Sequence, residues 1–180
     1  YVNIYSAWYA FAAIKADGSF TTWGKPRQAG GCGAPTDSGY VHIYSNSFAF
    51  AAVKADGSIT AWGDGGFGGS GAPTDGGYVT IYSTDEAFAA LKADGSITAW
   101  GDEYSGGSGA PTDGGYENIY STGSAFAAVK ADGSITAWGN KDDGGSGAPT
   151  DSGYENIYST LYAFAAVKAD GSITVWGDED

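Results

Sequence analysis

The sequence predicts an all-β chain, a β-propeller of five short blades of about three strands each, or the same five units as a segment of a larger propeller or array. Three observations predict it. The segment Tyr-x-x-Ile-Tyr-Ser begins at Tyr1, Tyr40, Tyr78, Tyr116 and Tyr154, at spacings of 39, 38, 38 and 38 residues. Self-similarity at such a period marks a repeat architecture. The stretch from Phe88 to Gly101 reads Phe-Ala-Ala-Leu-Lys-Ala-Asp-Gly-Ser-Ile-Thr-Ala-Trp-Gly and recurs almost letter for letter from Phe11, Phe50, Phe126 and Phe164. Two apolar runs joined by Asp-Gly are a hairpin signature, because Gly supplies the positive φ of the turn. Finally, nothing in the chain sustains a helical period.

Taken in order, the chain is one repeat domain over 1–180, with units 1–39, 40–77, 78–115, 116–153 and 154–180. Each unit opens on a strand such as Tyr78 to Ser83, rich in β-branched and aromatic residues. The Phe-Ala-Ala-Leu-Lys-Ala run has helix-forming residues but is short and meets Asp-Gly directly, so it reads as the second strand. In the third, Ile97 and Ala99 point to one side and Thr98 and Trp100 to the other. Apolar residues on both faces suit a small sheet held between two neighbours, and the alanines suit close approach near a central axis. A Gly- and Pro-rich linker then returns the chain to the next unit. The first linker, between Trp23 and Pro35, carries the extra residue and diverges most.

Composition narrows the function classes. Asp plus Glu number 21 against 8 Lys plus Arg, a formal net charge of −13. Five of the eight basic residues (Lys15, Lys54, Lys92, Lys130 and Lys168) occupy one repeat position and are spread evenly. Nucleic acid and anionic membranes need a basic face, so neither is expected as a partner. No apolar run approaches a membrane span, so no membrane insertion is expected. The single cysteine, Cys32, allows no intrachain disulfide and no Cys-based zinc cage. The chain opens at Tyr1 and contains no methionine, which reads as a processed or excised piece.

The pattern Ile-Tyr-Ser-x-x-x-Ala-Phe-Ala-Ala-Leu-Lys-Ala-Asp-Gly-Ser-Ile-Thr-Ala-Trp-Gly-Asp resembles the repeat of the regulator of chromosome condensation family. In that family a small-residue strand and a Leu-Lys-x-Asp-Gly turn precede a strand ending in Trp-Gly-Asp or Trp-Gly-Asn. The short unit is similar in style to the compact repeat of a secreted bacterial β-lactamase inhibitor with three-stranded blades. The resemblance covers all five units and implies a propeller. It departs where the family's Gly-Gln-Leu-Gly is replaced by Gly-Gly-Ser-Gly, as at Gly106 to Gly109. Family members usually close seven blades, so five units form either a narrow ring or part of a longer array. The family's roles include nucleotide exchange on a small GTPase, chromatin binding and protein inhibition by surface loops. None of them transfers residue by residue, because the matching residues are structural.

The units differ most in two windows. One follows the Ile-Tyr-Ser strand: Ala7-Trp8-Tyr9, Asn46-Ser47-Phe48, Thr84-Asp85-Glu86, Thr122-Gly123-Ser124 and Thr160-Leu161-Tyr162. The other follows Trp-Gly, at Lys25 to Ala29, Asp64 to Phe67, Asp102 to Ser105, Asn140 to Asp143 and Asp178 to Asp180. Strand directions place both windows on one face and the Asp-Gly-Ser turns on the other. Loops on a rigid scaffold carry binding residues, and aromatics anchor interfaces. The expected ligand-binding face is therefore Trp8, Tyr9, Phe48, Phe67, Asp85, Glu86, Tyr104, Leu161 and Tyr162. Relaxed constraint on exposed loops explains the same variation.

Catalysis has little to stand on. His42 is the only histidine and reads as a strand surface residue. Cys32 sits in a Gly-rich linker beside no activating base. No catalytic residue is expected, and the protein reads as no enzyme. Asp64, Asp102 and Asp178 after Trp-Gly, with Asp37, Asp75, Asp113 and Asp151 after Pro-Thr, raise calcium as the one cofactor to consider. No Asp-x-Asp-x-Asp loop is present, and Asp in a Gly-rich turn ordinarily bonds its own backbone; the expectation is no cofactor and no metal residue. The sequence thus points to a noncatalytic binding module for a protein or glycan, extracellular or at a cell surface. The alternative is a structural repeat protein that self-assembles with neighbouring chains through easily slipped strand edges.

Overall fold

The protein is described by a computed structural model at residues 1–25 and 30–178. The described residues hold fifteen strands in five separate three-stranded antiparallel sheets, each made of three consecutive strands. Blade 1 contains β1 (Asn3–Ser6), β2 (Ala10–Ile14) and β3 (Phe20–Gly24). Blade 2 contains β4 (Tyr40–Ser45), β5 (Ala49–Lys54) and β6 (Ile59–Gly63), and blade 3 β7 (Tyr78–Ser83), β8 (Ala87–Lys92) and β9 (Ile97–Gly101). Blade 4 has β10 (Tyr116–Ser121), β11 (Ala125–Lys130) and β12 (Ile135–Gly139), and blade 5 β13 (Tyr154–Ser159), β14 (Ala163–Lys168) and β15 (Ile173–Gly177). Among the described residues no helix is long and apolar enough to cross a membrane.

The hairpin turn behaves as its residues dictate. In blade 2 the ladder ends at the pair Val53↔Ile59. Gly57 N–H then bonds the Lys54 carbonyl, and Lys54 N–H bonds the Ser58 carbonyl. Gly57 sits at φ +77°, the left-handed residue that closes a three-residue hairpin loop. The Asp56 carboxylate accepts from both the N–H and the hydroxyl of Ser58, at 2.9 and 2.7 Å. The linker into blade 3 is fastened to this turn, with Gly77 N–H on the Asp56 carbonyl and Tyr78 N–H on the Gly57 carbonyl. The same linker arrangement recurs at every later blade.

The first strand of each blade lies innermost, touching the first strands of its neighbours. Ser45 and Ser83 hydroxyls donate across this seam to the carbonyls of Ser6 and Ser45. The alanines, expected near the axis, lie instead in the middle strands, where they let adjacent sheets approach. On β5, Phe50 and Ala52 face blade 1, while Ala49, Ala51 and Val53 face blade 3. Large and small residues therefore interlock: Phe88 and Trp100 of blade 3 lie in one core with Ala49 and Ala51 of blade 2.

Five blades make four such cores, between successive blades only. Phe50 and Trp62 are 0% and 2% exposed, yet their blade 1 counterparts Phe11 and Trp23 are 45% and 43% exposed. At the other end, Ile173 and Val175 of blade 5 stand 63% and 66% exposed. The five blades thus form an arc open between blade 5 and blade 1, and a narrow closed ring is excluded for the described residues. Each blade buries its sides only where a neighbour exists, and the missing contact leaves the two end faces apolar and bare.

Candidate functional site

Both loop windows lie on one face, and in blades 2, 3 and 4 the first residue of one window is hydrogen-bonded to the other. Asn46 Nδ2 donates to the Phe67 carbonyl at 2.7 Å, and its Oδ1 accepts from the N–H groups of Phe48 and Ala49. Thr84 and Thr122 do the same work with one hydroxyl each. They donate to the carbonyls of Ser105 and Asp143 and accept from the N–H groups of Ala87 and Ala125. These three residues are buried. Their variation is therefore exchange among side chains able to cap a local turn, rather than free loop drift.

A second device joins the blades to one another. Trp8 N–H donates to the Ser47 carbonyl, Ser47 to Asp85, Asp85 to Gly123, and Gly123 to Leu161, at 2.8–3.0 Å. One residue per blade thus forms a belt of backbone hydrogen bonds around the axis. It borders a well of about 530 Å³ whose wall includes Trp8, Ser47, Asp85, Gly123 and Leu161.

The nine residues expected on the binding face are distributed unevenly around this well. Trp8, Asp85 and Leu161 line it. Trp8, 66% exposed, also stands at the centre of an aromatic group contributed by blades 1 and 2. Its ring meets Tyr9 at 6.3 Å and Phe48 at 5.1 Å, both edge-on, and Phe48 meets Phe67 at 4.7 Å. Lys25 places its ammonium 4.6 Å from the centre of the Tyr9 ring. Glu86 is tied down, its carboxylate accepting from the Ser105 hydroxyl at 3.2 Å. Tyr104, 74% exposed, and Tyr162 stand on the loops of blades 3 and 5. The parts of the loop windows at residues 26–29 and 179–180 lie outside the described residues.

The opposite face carries a repeated ion pair. Four of the five repeated lysines, which the sequence shows only as evenly spread charges, are paired. Lys54, Lys92, Lys130 and Lys168 bond Asp37, Asp75, Asp113 and Asp151, always 17 positions earlier. Each ammonium also lies 4.7–4.8 Å from the centre of a buried tyrosine ring, Tyr40, Tyr78, Tyr116 or Tyr154. The same four carboxylates accept the tyrosine hydroxyls at 3.0–3.1 Å. The aspartates considered for calcium are therefore used by the protein itself. Asp64 and Asp102 likewise accept from the N–H groups of Gly66 and Ser105 in their own loops. Among the described residues no three His, Cys, Asp or Glu side chains are grouped to hold a metal ion. His42 is exposed on β4, and Cys32 is exposed in the first linker.

The lysine bond holds the Asp37 carboxyl below the usual carboxylate range, and the tyrosine hydroxyl bond adds to this. Asp75, Asp113 and Asp151 are lowered by the same lysine contact. A carboxylate depressed in the folded state stabilises it above its unfolded pKa, and that contribution is lost as pH falls through the folded value. The thermal midpoint is expected to drop with acidification below about pH 4. Asp113→Asn should lower the midpoint at neutral pH and flatten the acid slope. An unchanged slope in a variant with all four aspartates replaced would remove these pairs as its source.

No family model and no curated protein matches the chain. Solved structures do. The CRINKLY WD40 ectodomain of the Arabidopsis thaliana receptor kinase ACR4 superimposes with a TM-score of 0.65 at 18% identity, over 98% of this chain and 63% of that one. The ectodomain of the Physcomitrella patens receptor kinase CR4 gives 0.66 at 17% identity, over 97% and 49%. Prp20p of Saccharomyces cerevisiae, a protein with binding properties toward Gsp1p and histones, gives 0.59 at 16%, over 98% and 57%. A second structure of that protein, yeast RCC1, shows it bound to Kap60. The present chain thus spans about half to two-thirds of these structures' length. Fold and blade construction together define the class as a propeller-type repeat protein. More particularly, the chain is an arc of five three-stranded blades, similar in fold to the propeller of yeast RCC1.

Proposed function

We propose that the protein is a noncatalytic recognition module that captures a protein or glycan on its loop face. The observation that carries this reading is the group Tyr9, Trp8, Phe48 and Phe67 at the rim of the axial well. Four adjoining rings on belt-anchored loops offer a preorganised apolar surface, and interface energy concentrates on such aromatic anchors. Asp85 and Leu161 extend the contact across the well, and Tyr104, Tyr162 and Glu86 flank it. A protein partner is supported by the likeness to Prp20p, which has Gsp1p, histones and Kap60 as partners. An extracellular or cell-surface setting is supported by the likeness to two receptor ectodomains.

The test is a binding screen against glycans and surface proteins, followed by the variant Trp8→Ala/Tyr9→Ala/Phe48→Ala. A hot-spot aromatic is worth about 2 kcal/mol, so losing several should cost a hundredfold or more in affinity. Trp23 and the core tryptophans are untouched, so near-ultraviolet circular dichroism can establish that the variant is folded. Binding that survives in a folded triple variant rules out this face.

A further inference from the structure

The bare faces at the two ends of the arc are the two halves of a contact the chain already makes four times. Tyr1, Ile4, Phe11, Ala13 and Trp23 of blade 1 repeat, in type and position, Tyr40, Ile43, Phe50, Ala52 and Trp62, which are buried against blade 1. Tyr158, Ala163, Ala165, Val167 and Ile173 of blade 5 likewise repeat Tyr120, Ala125, Ala127, Val129 and Ile135, which pack against blade 5. The one change on that side is Val175 where blade 4 has Ala137. Repeat arrays that stand alone carry polar residues on their terminal faces. Here Ile4, Phe11, Trp23, Tyr158, Ile173 and Val175 are all exposed and none is polar in character beyond the Tyr hydroxyl and Trp N–H.

Two further features point the same way. An apolar groove of about 130 Å³ on blade 5 is lined by Tyr158, Ala163, Ala165 and Val175 among others. The corresponding residues of blade 2, Tyr44, Ala49, Ala51 and Ala61, belong to the core around Phe88 of blade 3. The groove is thus the socket for a following blade's phenylalanine, the position Phe11 holds in blade 1. The backbone belt is also unfinished: it begins with Trp8 donating and ends with Leu161 accepting. Its next bond would run from Leu161 N–H to the Trp8 carbonyl of a following blade 1.

We propose that the blade 5 face of one molecule docks on the blade 1 face of a second copy, head to tail, in the geometry of the internal blade contacts. The contact joins two different surfaces, so it propagates into a ring or a filament according to the rotation it imposes. This surface lies on the sides of the two end blades and meets the loop face only at its edge, where Leu161 and Trp8 stand; Phe11 and Val175 are outside the residues proposed to bind on the loops.

Sedimentation or light scattering on the 180-residue chain should show species heavier than the 18.3 kDa monomer, increasing with concentration. Phe11→Glu disables one half of the contact and Val175→Glu the other. Each variant alone is expected to remain monomeric, whereas an equimolar mixture should give a one-to-one dimer that grows no further. Ile4→Glu and Ile173→Glu, also at exposed positions, repeat the experiment should either first variant fail to fold. A wild-type chain that stays monomeric at every concentration overturns the proposal. So do single variants that still associate, or a mixture of folded variants that does not pair; the end faces would then need further blades, or another protein, to cover them.

Discussion

Replacing Phe88 by alanine is expected to cost about 3–5 kcal/mol of folding stability, whereas replacing Phe11 by alanine should cost about 1 kcal/mol. The two residues hold the same place in their blades. Phe88 is wholly buried, stacked on Trp100 at 5.3 Å and enclosed by the alanines of blade 2. Truncating it removes the ring's burial and leaves a cavity that rigid β-sheets on both sides cannot collapse to fill. Phe11 stacks on Trp23 at 5.8 Å, but the other side of the ring faces solvent. Set against the 5–15 kcal/mol that holds a typical domain together, the Phe88 loss is large enough to leave a substantial unfolded population. Urea unfolding followed by tryptophan fluorescence, at low protein concentration where association contributes least, measures both. Equal losses would mean that blade 1 is covered as fully as blade 3, and the arc would have to be closed.

That contrast marks where the sequence stops being legible. The hairpins could be read because their information is local: Asp-Gly-Ser at a fixed place between apolar runs sets turn and register within some fourteen residues. The count of blades followed from the repeat. Whether the blades close could not be read, because Phe11 and Phe50 are the same residue in the same pattern and differ only in having a neighbour. The loop windows were partly misread for a related reason. Asn46, Thr84 and Thr122 look variable by letter but are equivalent by hydrogen-bonding capacity, and only the Phe67, Ser105 and Asp143 carbonyls show it. The lysine pairs left a visible trace, a constant separation of 17 residues from an aspartate. What hid them is that the pairing spans the first two strands of a blade, from the end of the linker to the end of the second strand, so nothing nearby in the chain announces it. The aromatic group around Trp8 was legible as exposed loop residues, but not as neighbours, since Phe48 and Phe67 come from a different blade than Trp8 and Tyr9.

Substituting Gly106 by alanine should cost about 2–5 kcal/mol, and the same change at Gly115 only about 1–2 kcal/mol. Both glycines have positive φ, +91° and +85°, so the backbone penalty for a Cβ is common to the pair. Their surroundings differ. A Cβ at Gly115 would meet nothing within 4 Å, while at Gly106 it would stand 2.7 Å from Cδ2 of Phe126. That ring cannot retreat: Phe126 is fully buried and shares a core with Ala87 and Ala89 of blade 3. The Gly106 carbonyl also accepts the Trp138 indole N–H at 3.0 Å, a bond that any local shift would break. Gly30, Gly68 and Gly144 hold the same relation to Phe50, Phe88 and Phe164, so each loop after a third strand pins the aromatic pair of the next blade. Thermal unfolding of the two variants separates the contributions, and equal losses would show that Phe126 yields and that only the backbone angle demands glycine. The unequal result has a consequence for recognition. A loop pinned at its glycine can change its sequence only on the stretch before it, from Asp102 to Ser105 in blade 3. The residues free to diversify are thereby held on the face that carries Trp8 and Phe48.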